Sequence, residues 1–295
     1  MIFRRIRMGD QLKHGLYLQN GPAYLEELLK PSYAVEYATA AENSGWDGVF
    51  MADAFGEEES FFDPVVTHSA IAEATDRIKL GTWITPIPRR QPWQVALDFA
   101  TLDEISDGRV FVGTGLGAPW NYESTGIGYD PATLGERYDE ALDIIVDLWS
   151  GETVSYSGDH FEINDMELPI TPVQEPRIPI MNGFWWPNKR PLHRAADWDG
   201  IMPYAPSFYG QEGIQGEPVT GSMVEEITDI ISYYNEVADQ PGDILIPIDV
   251  PGAPEDIVDQ CESLGVTWTL TTTLLTDESH AANLDRISEG PPAAD

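Results

Sequence analysis

Cationic residues are scarce in this chain. Against 50 aspartates and glutamates stand 16 lysines and arginines, which leaves a formal net charge of -34 over 295 residues. Lysine is the scarcer of the two cations, occurring only as Lys13, Lys30, Lys79 and Lys189. A basic face able to neutralise phosphates is missing, so nucleic acid is not an expected partner. Cysteine is nearly absent as well. Cys261 stands alone, so neither a disulfide framework nor a cysteine-rich metal site can form, which suits a reducing cytosol. Its place in a predicted helix reads as a small buried side chain rather than a nucleophile. The histidines, His14, His68, His160, His193 and His280, are far apart with no paired spacing on one element, which argues against a catalytic metal. No Gly-x-Ser-x-Gly elbow occurs, so the simplest hydrolase reading falls away. No apolar run approaches the ~18 residues of a membrane span, and no membrane association is expected. Residues 1–8 are basic, but no apolar core region follows. The stretch 1–12 reads as an N-terminal extension rather than a signal peptide.

What is present suffices for a large core. Hydrophobic residues make up 42% of the chain and aromatics 11%, well above what a disordered chain carries. The acids are scattered and form no acidic tail. A dispersed, lysine-poor acidic surface fits a cytoplasm held at molar salt, where charge is screened within about 3 Å. The expectation is a halophilic, cytoplasmic protein.

Short apolar strands alternate with amphipathic helices, the pattern of repeated βα units around a parallel sheet. Candidate strands lie at 14–18, 48–52, 79–85, 110–114, 179–182, 200–203, 244–248 and 267–272. Candidate helices lie at 33–44, 64–74, 94–105, 134–149, 191–196, 223–236 and 254–264, with a weaker one at 279–288. Between the fourth and fifth strands, residues 154–177 read as a short hairpin with a proline-rich return. The expected fold class is α/β, a (β/α)₈ TIM barrel with this insertion, residues 13–290 forming one domain. An open doubly wound sheet is the alternative, disfavoured because no Gly-x-Gly-x-x-Gly opens a helix after the first strand.

One stretch is more specific than the rest. A helix end at 101–105 meets Ser106-Asp-Gly, and an apolar strand then runs into Gly115 and Gly117. A strand ending in glycines lets the backbone come close to something flat or anionic. Upstream lie Asp76-Arg-Ile-Lys-Leu-Gly-Thr82 and Pro86-Ile-Pro-Arg-Arg-Gln-Pro-Trp93. Downstream lie the helix from Arg137 to Gly151 and Ser157-Gly-Asp-His-Phe161. In that order and at those spacings, the chain resembles the luciferase-like class of flavin- and deazaflavin-dependent oxidoreductases, from about Leu16 to Thr273.

The resemblance implies a cofactor at the carboxyl ends of the strands, where barrel enzymes work. Asp53, in Met51-Ala-Asp-Ala-Phe55, matches the first member of a pair that borders the reactive ring, and it is the one candidate catalytic residue. Ala54 stands where a histidine is usual, so no histidine base is implied there. Trp83–Ile84 matches a bulge with a non-proline cis peptide that buttresses the ring. Gly115 and Gly117 follow the fourth strand. Asn182, Gly183 and Phe184 read as a turn into a helix start, whose free N–H groups could hold a phosphate. The resemblance places the cofactor's phosphate in that turn. Lys189 and Arg190, with Arg89, Arg90 and Arg194, fall in predicted strand–helix loops or helix starts at the same end and argue for an anionic ligand. The bland alternative is pairing with surface acids. Trp83, Trp93, Trp120, Tyr122, Phe184, Trp185, Trp186, Tyr204, Phe208 and Tyr209 fall at loop positions and favour a pocket.

The implied function is an oxidoreductase binding FMN or the deazaflavin coenzyme F-420 and acting on a small organic substrate. With FMN, supplied reduced by a separate flavin reductase, the reaction is monooxygenation. With deazaflavin it is hydride transfer. Two further readings stay open: an aldolase or isomerase acting on a phosphorylated sugar, and a cofactor-binding barrel that has lost catalysis. A homo-oligomer is also left open.

Overall fold

In a computed structural model, residues 11–18, 30–54, 62–123, 125–208, 221–272 and 279–292 are described. The elements begin β1 (Lys13–Tyr17), α1 (Pro31–Asn43), β2 (Gly48–Met51), α2 (Pro64–Ala74), β3 (Lys79–Thr82), β4 (Thr85–Pro86) and α3 (Pro92–Ile105). They continue with β5 (Val110–Gly115), α4 (Trp120–Glu123), α5 (Pro131–Trp149), β6 (Val154–Ser157), β7 (Glu162–Met166) and β8 (Ile180–Trp185). The last are α6 (Lys189–Ala195), β9 (Gly200–Tyr204), α7 (Met223–Val237), β10 (Asp243–Pro247), α8 (Ile257–Leu264), β11 (Trp268–Thr271) and α9 (His280–Ser288). Two compact units emerge, one of Met1–Gln19, Ala40–Phe50 and Ile180–Asp295, the other of Asn20–Thr39 and Met51–Pro179.

In the first unit the strands lie parallel in the order β2-β1-β11-β10-β9-β8. Their sequences, such as Gly-Val-Phe-Met and Trp-Thr-Leu-Thr, are buried at every position. Such continuous burial is what a parallel sheet covered on both faces requires. The first strand pairs with the last, Leu16 opposite Thr271, and sequence order runs round the sheet without reversal. A doubly wound sheet reverses at a switch point. The architecture is therefore the (β/α)₈ barrel. Helices α6, α7 and α8 pack Leu192, Ile227, Tyr234 and Cys261 into one apolar core with Ile201 and Ile246. Cys261 is wholly buried, and burial pushes its thiol up to about 12, so it is packing rather than a nucleophile.

In the second unit β3 and β4 both pair parallel with β5. The single strand expected at 79–85 is broken in two, and the Trp83–Ile84 peptide in the break is cis. The Trp83 N–H reaches the Met51 carbonyl at 2.9 Å, while the Asp53 N–H reaches the Ile84 carbonyl at 3.3 Å. The insertion is the antiparallel hairpin β6–β7 and an extended return.

The motif around the Ser106-Asp-Gly turn proves to be a clamp. Buried Asp103 accepts the N–H groups of Val173 and Gln174 at 2.9 and 3.1 Å, tying down the return of the insertion. Buried Arg109 donates to the carbonyls of Ser106, Ala72 and Ile78 and to the Thr75 hydroxyl. Both side chains are consumed by structure at the amino end of β5.

Candidate functional site

Asp53 follows β2 and is 3% exposed. A buried carboxylate must be paired, and this one meets two guanidiniums. Arg89 pairs with one carboxylate oxygen, and Arg90 Nε donates to the other at 2.6 Å. Arg89 also donates to the Asp53 carbonyl at 3.2 Å. Arg90 reaches on to Asp63 at 3.1 Å, and Asp63 caps α2 by accepting the Val66 N–H at 3.0 Å. The two arginines differ in their acidity. Burial lowers the Arg89 pKa, opposed by Asp53. Burial also pulls Arg90 down, but its hydrogen bonds and charge contacts with Asp53 and Asp63 outweigh that and raise it. These arginines were expected to face an anionic ligand. Instead they hold the ends of β2 and α2 by pairing with the buried Asp53 and with Asp63.

Around β5 the chain folds tightly on itself. Gly117 has φ +77°, and a Cβ there would lie 2.6 Å from Asn121 Oδ1 and 3.0 Å from the Pro86 Cβ. The glycine thus serves a close approach within the protein. Gly115, in β5, pairs with Pro86. Asn121 Oδ1 accepts the Ala118 N–H at 2.8 Å. Its Nδ2 is buried without a hydrogen-bond partner among the described residues, as is the Thr85 hydroxyl on β4. Tyr122 donates to the Leu116 carbonyl, and burial holds its phenol above the usual range. Trp83 and Ile84 are half-buried.

In the other unit, the expected turn at Asn182, Gly183 and Phe184 is strand. These residues lie in β8, with Asn182 opposite Ile201, Gly183 opposite Met202 and Phe184 opposite Pro203. Asn-Gly is a local turn signal, but the apolar partner β9 carries the ladder through to Trp185 and Tyr204. The chain turns only after Trp185, and α6 starts at Lys189. Phe184, Trp186 and Phe208 belong to the apolar core of this unit. Trp185 and Tyr204 stack at 6.4 Å and 18° at the ends of β8 and β9, both half-buried. Lys189 lies over the Tyr233 ring at 4.3 Å, and Tyr233 contacts His193 Nε2 at 2.8 Å. Lys189 and Arg190 are exposed. Phe55 and Tyr209 lie outside the described residues.

Sequence reasoning missed Asn121 and Thr85 as site candidates. Nothing local marks them, since both depend on which groups fail to meet them in space. The pairing of Asp53 with residues 36 and 37 positions away is equally invisible in the sequence.

The parallel β/α barrel defines the fold class, and the chain belongs to the luciferase-like monooxygenase family, whose sequence pattern matches residues 13–187. A curated relative is the F420-dependent hydroxymycolic acid dehydrogenase of Mycobacterium tuberculosis, 34% identical over 54% of this chain and 46% of its own. The chain spans about half the length of the curated relatives it matches. In fold it is similar to the monooxygenase RslO1 from Streptomyces bottropensis, with a TM-score of 0.76, 19% identity, and 94% of this chain and 96% of that one covered. It is also similar to an F420-dependent secondary alcohol dehydrogenase solved with an F420-acetone adduct, with a TM-score of 0.71, 20% identity, and 95% and 98% covered. Among the described residues no helix is long and apolar enough to cross a membrane.

Proposed function

We propose that the protein is a flavin- or deazaflavin-dependent oxidoreductase that binds its cofactor at the carboxyl ends of the barrel strands and oxidises or reduces a small organic substrate. One observation carries the reading. The Thr85 hydroxyl, 1% exposed, follows the half-buried Trp83–Ile84 step and has no hydrogen-bond partner among the described residues. Leaving such a group unpaired costs about 1–3 kcal/mol. A ring with polar edges would supply the missing partner, so the donor set fits the group. Trp83 and Ile84 offer apolar surface beside it. The cofactor, once bound, supplies the electron chemistry. The protein's part is to hold the strand ends rigid, which the Asp53–Arg89–Arg90 node does. Its side chains must also orient the ring and exclude water.

Hydride transfer with a deazaflavin is the finer reading. Curated relatives carry names of F420-dependent dehydrogenases, and Ala54 offers no histidine base beside Asp53. The test is titration of the purified protein with FMN and with F-420 in molar KCl, followed by absorbance near about 450 and about 420 nm respectively. F-420 is expected to bind tightly and FMN weakly. Binding of neither would overturn the proposal, and FMN binding alone would overturn the finer reading.

A further inference from the structure

We propose that the outer face of α6 docks on the acidic face of α5 in a second copy of this chain. Residues 189–194 read Lys-Arg-Pro-Leu-His-Arg, a run of basic side chains in a protein with only 16 lysines and arginines. Lys189, Arg190 and His193 are exposed. Contacts put two of them on one surface. Lys189 Nζ lies 4.3 Å from the centre of the Tyr233 ring, and His193 Nε2 lies 2.8 Å from the Tyr233 hydroxyl. The Trp186 ring stands beside Tyr233 at 6.2 Å. Tyr233, on α7, thus holds both side chains in place one turn apart on α6, and a side chain already held loses less freedom on docking. Among the described residues no carboxylate meets Lys189, Arg190 or His193. With 50 aspartates and glutamates in the chain, a second copy offers the charge that is missing here.

The complement stands on α5. Asp143 and Asp147 are exposed, one turn apart, and meet no cation among the described residues. Burial raises the Asp143 pKa, and Asp147, Asp139 and Glu140 push it the same way. A cation from a second copy would relieve that repulsion. The spacings match, since Lys189 and His193 are also four residues apart, and each pair spans about 6 Å of helix. Two effects compete. The net charge of -34 drives copies apart, over about 30 Å in 0.01 M salt but only about 3 Å in 1 M. Charges in direct contact are screened less than charges at a distance, so at molar salt the local complementarity decides.

Sedimentation of the whole chain in molar KCl tests the proposal. The parent chain is expected to self-associate. Lys189→Glu with Arg190→Glu, and separately Asp143→Lys with Asp147→Lys, should each weaken that association at least about tenfold, because like charges then face one another. Mixed together, the two variants should associate as the parent does, since each supplies the charge that the other has lost. Recovery on mixing would also exclude unfolding as the cause of the loss. Should a thermal melt show either double variant unfolded, Lys189→Gln and Asp143→Asn replace it, each weakening association by about two- to fivefold. A monomeric parent chain would overturn the proposal. So would variants that associate as the parent does, or two folded double variants that stay monomeric when mixed.

Discussion

Asp53 is held by two arginines that come to it from the turn after β4, and removing it should be costly. In Asp53→Ala, Arg90 keeps Asp63, but Arg89, whose side chain is 4% exposed, loses its carboxylate. Uncompensated buried charges cost about 3–5 kcal/mol, so urea unfolding in molar KCl should show a loss of that order. A loss below about 1 kcal/mol would mean that Arg89 finds another acceptor. His68 supplies a second prediction, with a definite sign. It is fully buried on α2, and burial lowers its pKa from 6.5 to about 4, against a smaller upward pull from Asp63. Between those values the unfolded chain takes up a proton that the folded one refuses. Stability is therefore lost as pH falls from 6.5 towards about 4, by roughly 3 kcal/mol in the limit. His68→Gln should flatten that slope. An unchanged slope in unfolding measured at stepped pH would assign the acid sensitivity to other groups.

The element that most needs a fastening is the inserted hairpin, and Glu140 on α5 provides it. Its carboxylate accepts the N–H groups of Asp159, His160 and Phe161 at 2.8, 3.0 and 3.1 Å. A Cβ on Gly158 would sit 2.3 Å from the same carboxylate, which accounts for the glycine of the Ser-Gly-Asp-His-Phe motif. Hydrogen bonds to a charged group contribute about 1.5–3 kcal/mol each. Glu140→Ala should therefore speed hydrogen exchange in β6 and β7 at least tenfold, with Glu140→Gln intermediate. Equal exchange in all three proteins would show that other contacts hold the hairpin. At this scale the sequence was readable wherever a local rule governed. The hairpin, the alternating strands and α2 at 64–74 were all legible from periodicity and punctuation. The Asn182–Phe184 strand was not, because Asn-Gly reads as a turn until its neighbour β9 is known.

For the whole molecule, the decisive quantity is the net charge of -34. Self-repulsion of this size opposes the compact state, and salt relieves it. Thermal melts should rise in midpoint between low and molar KCl. A flat or falling midpoint would remove the halophilic reading.

The sequence by itself determined the class of fold and the family, because both rest on patterns that act locally. Burial periodicity selects strand or helix within a few residues, and the order of βα units admits few topologies. It also determined the scarcity of cations from which the charge argument starts. Tertiary structure alone decided which of these polar residues meet one another. Asp53, Arg89, Arg90 and Asp63 neutralise one another over 37 positions of sequence, and Asp103 and Arg109 became a clamp. Asn121 and Thr85 emerged as polar groups left without partners. Pairing and its absence depend on distances in space, which no single stretch of chain encodes.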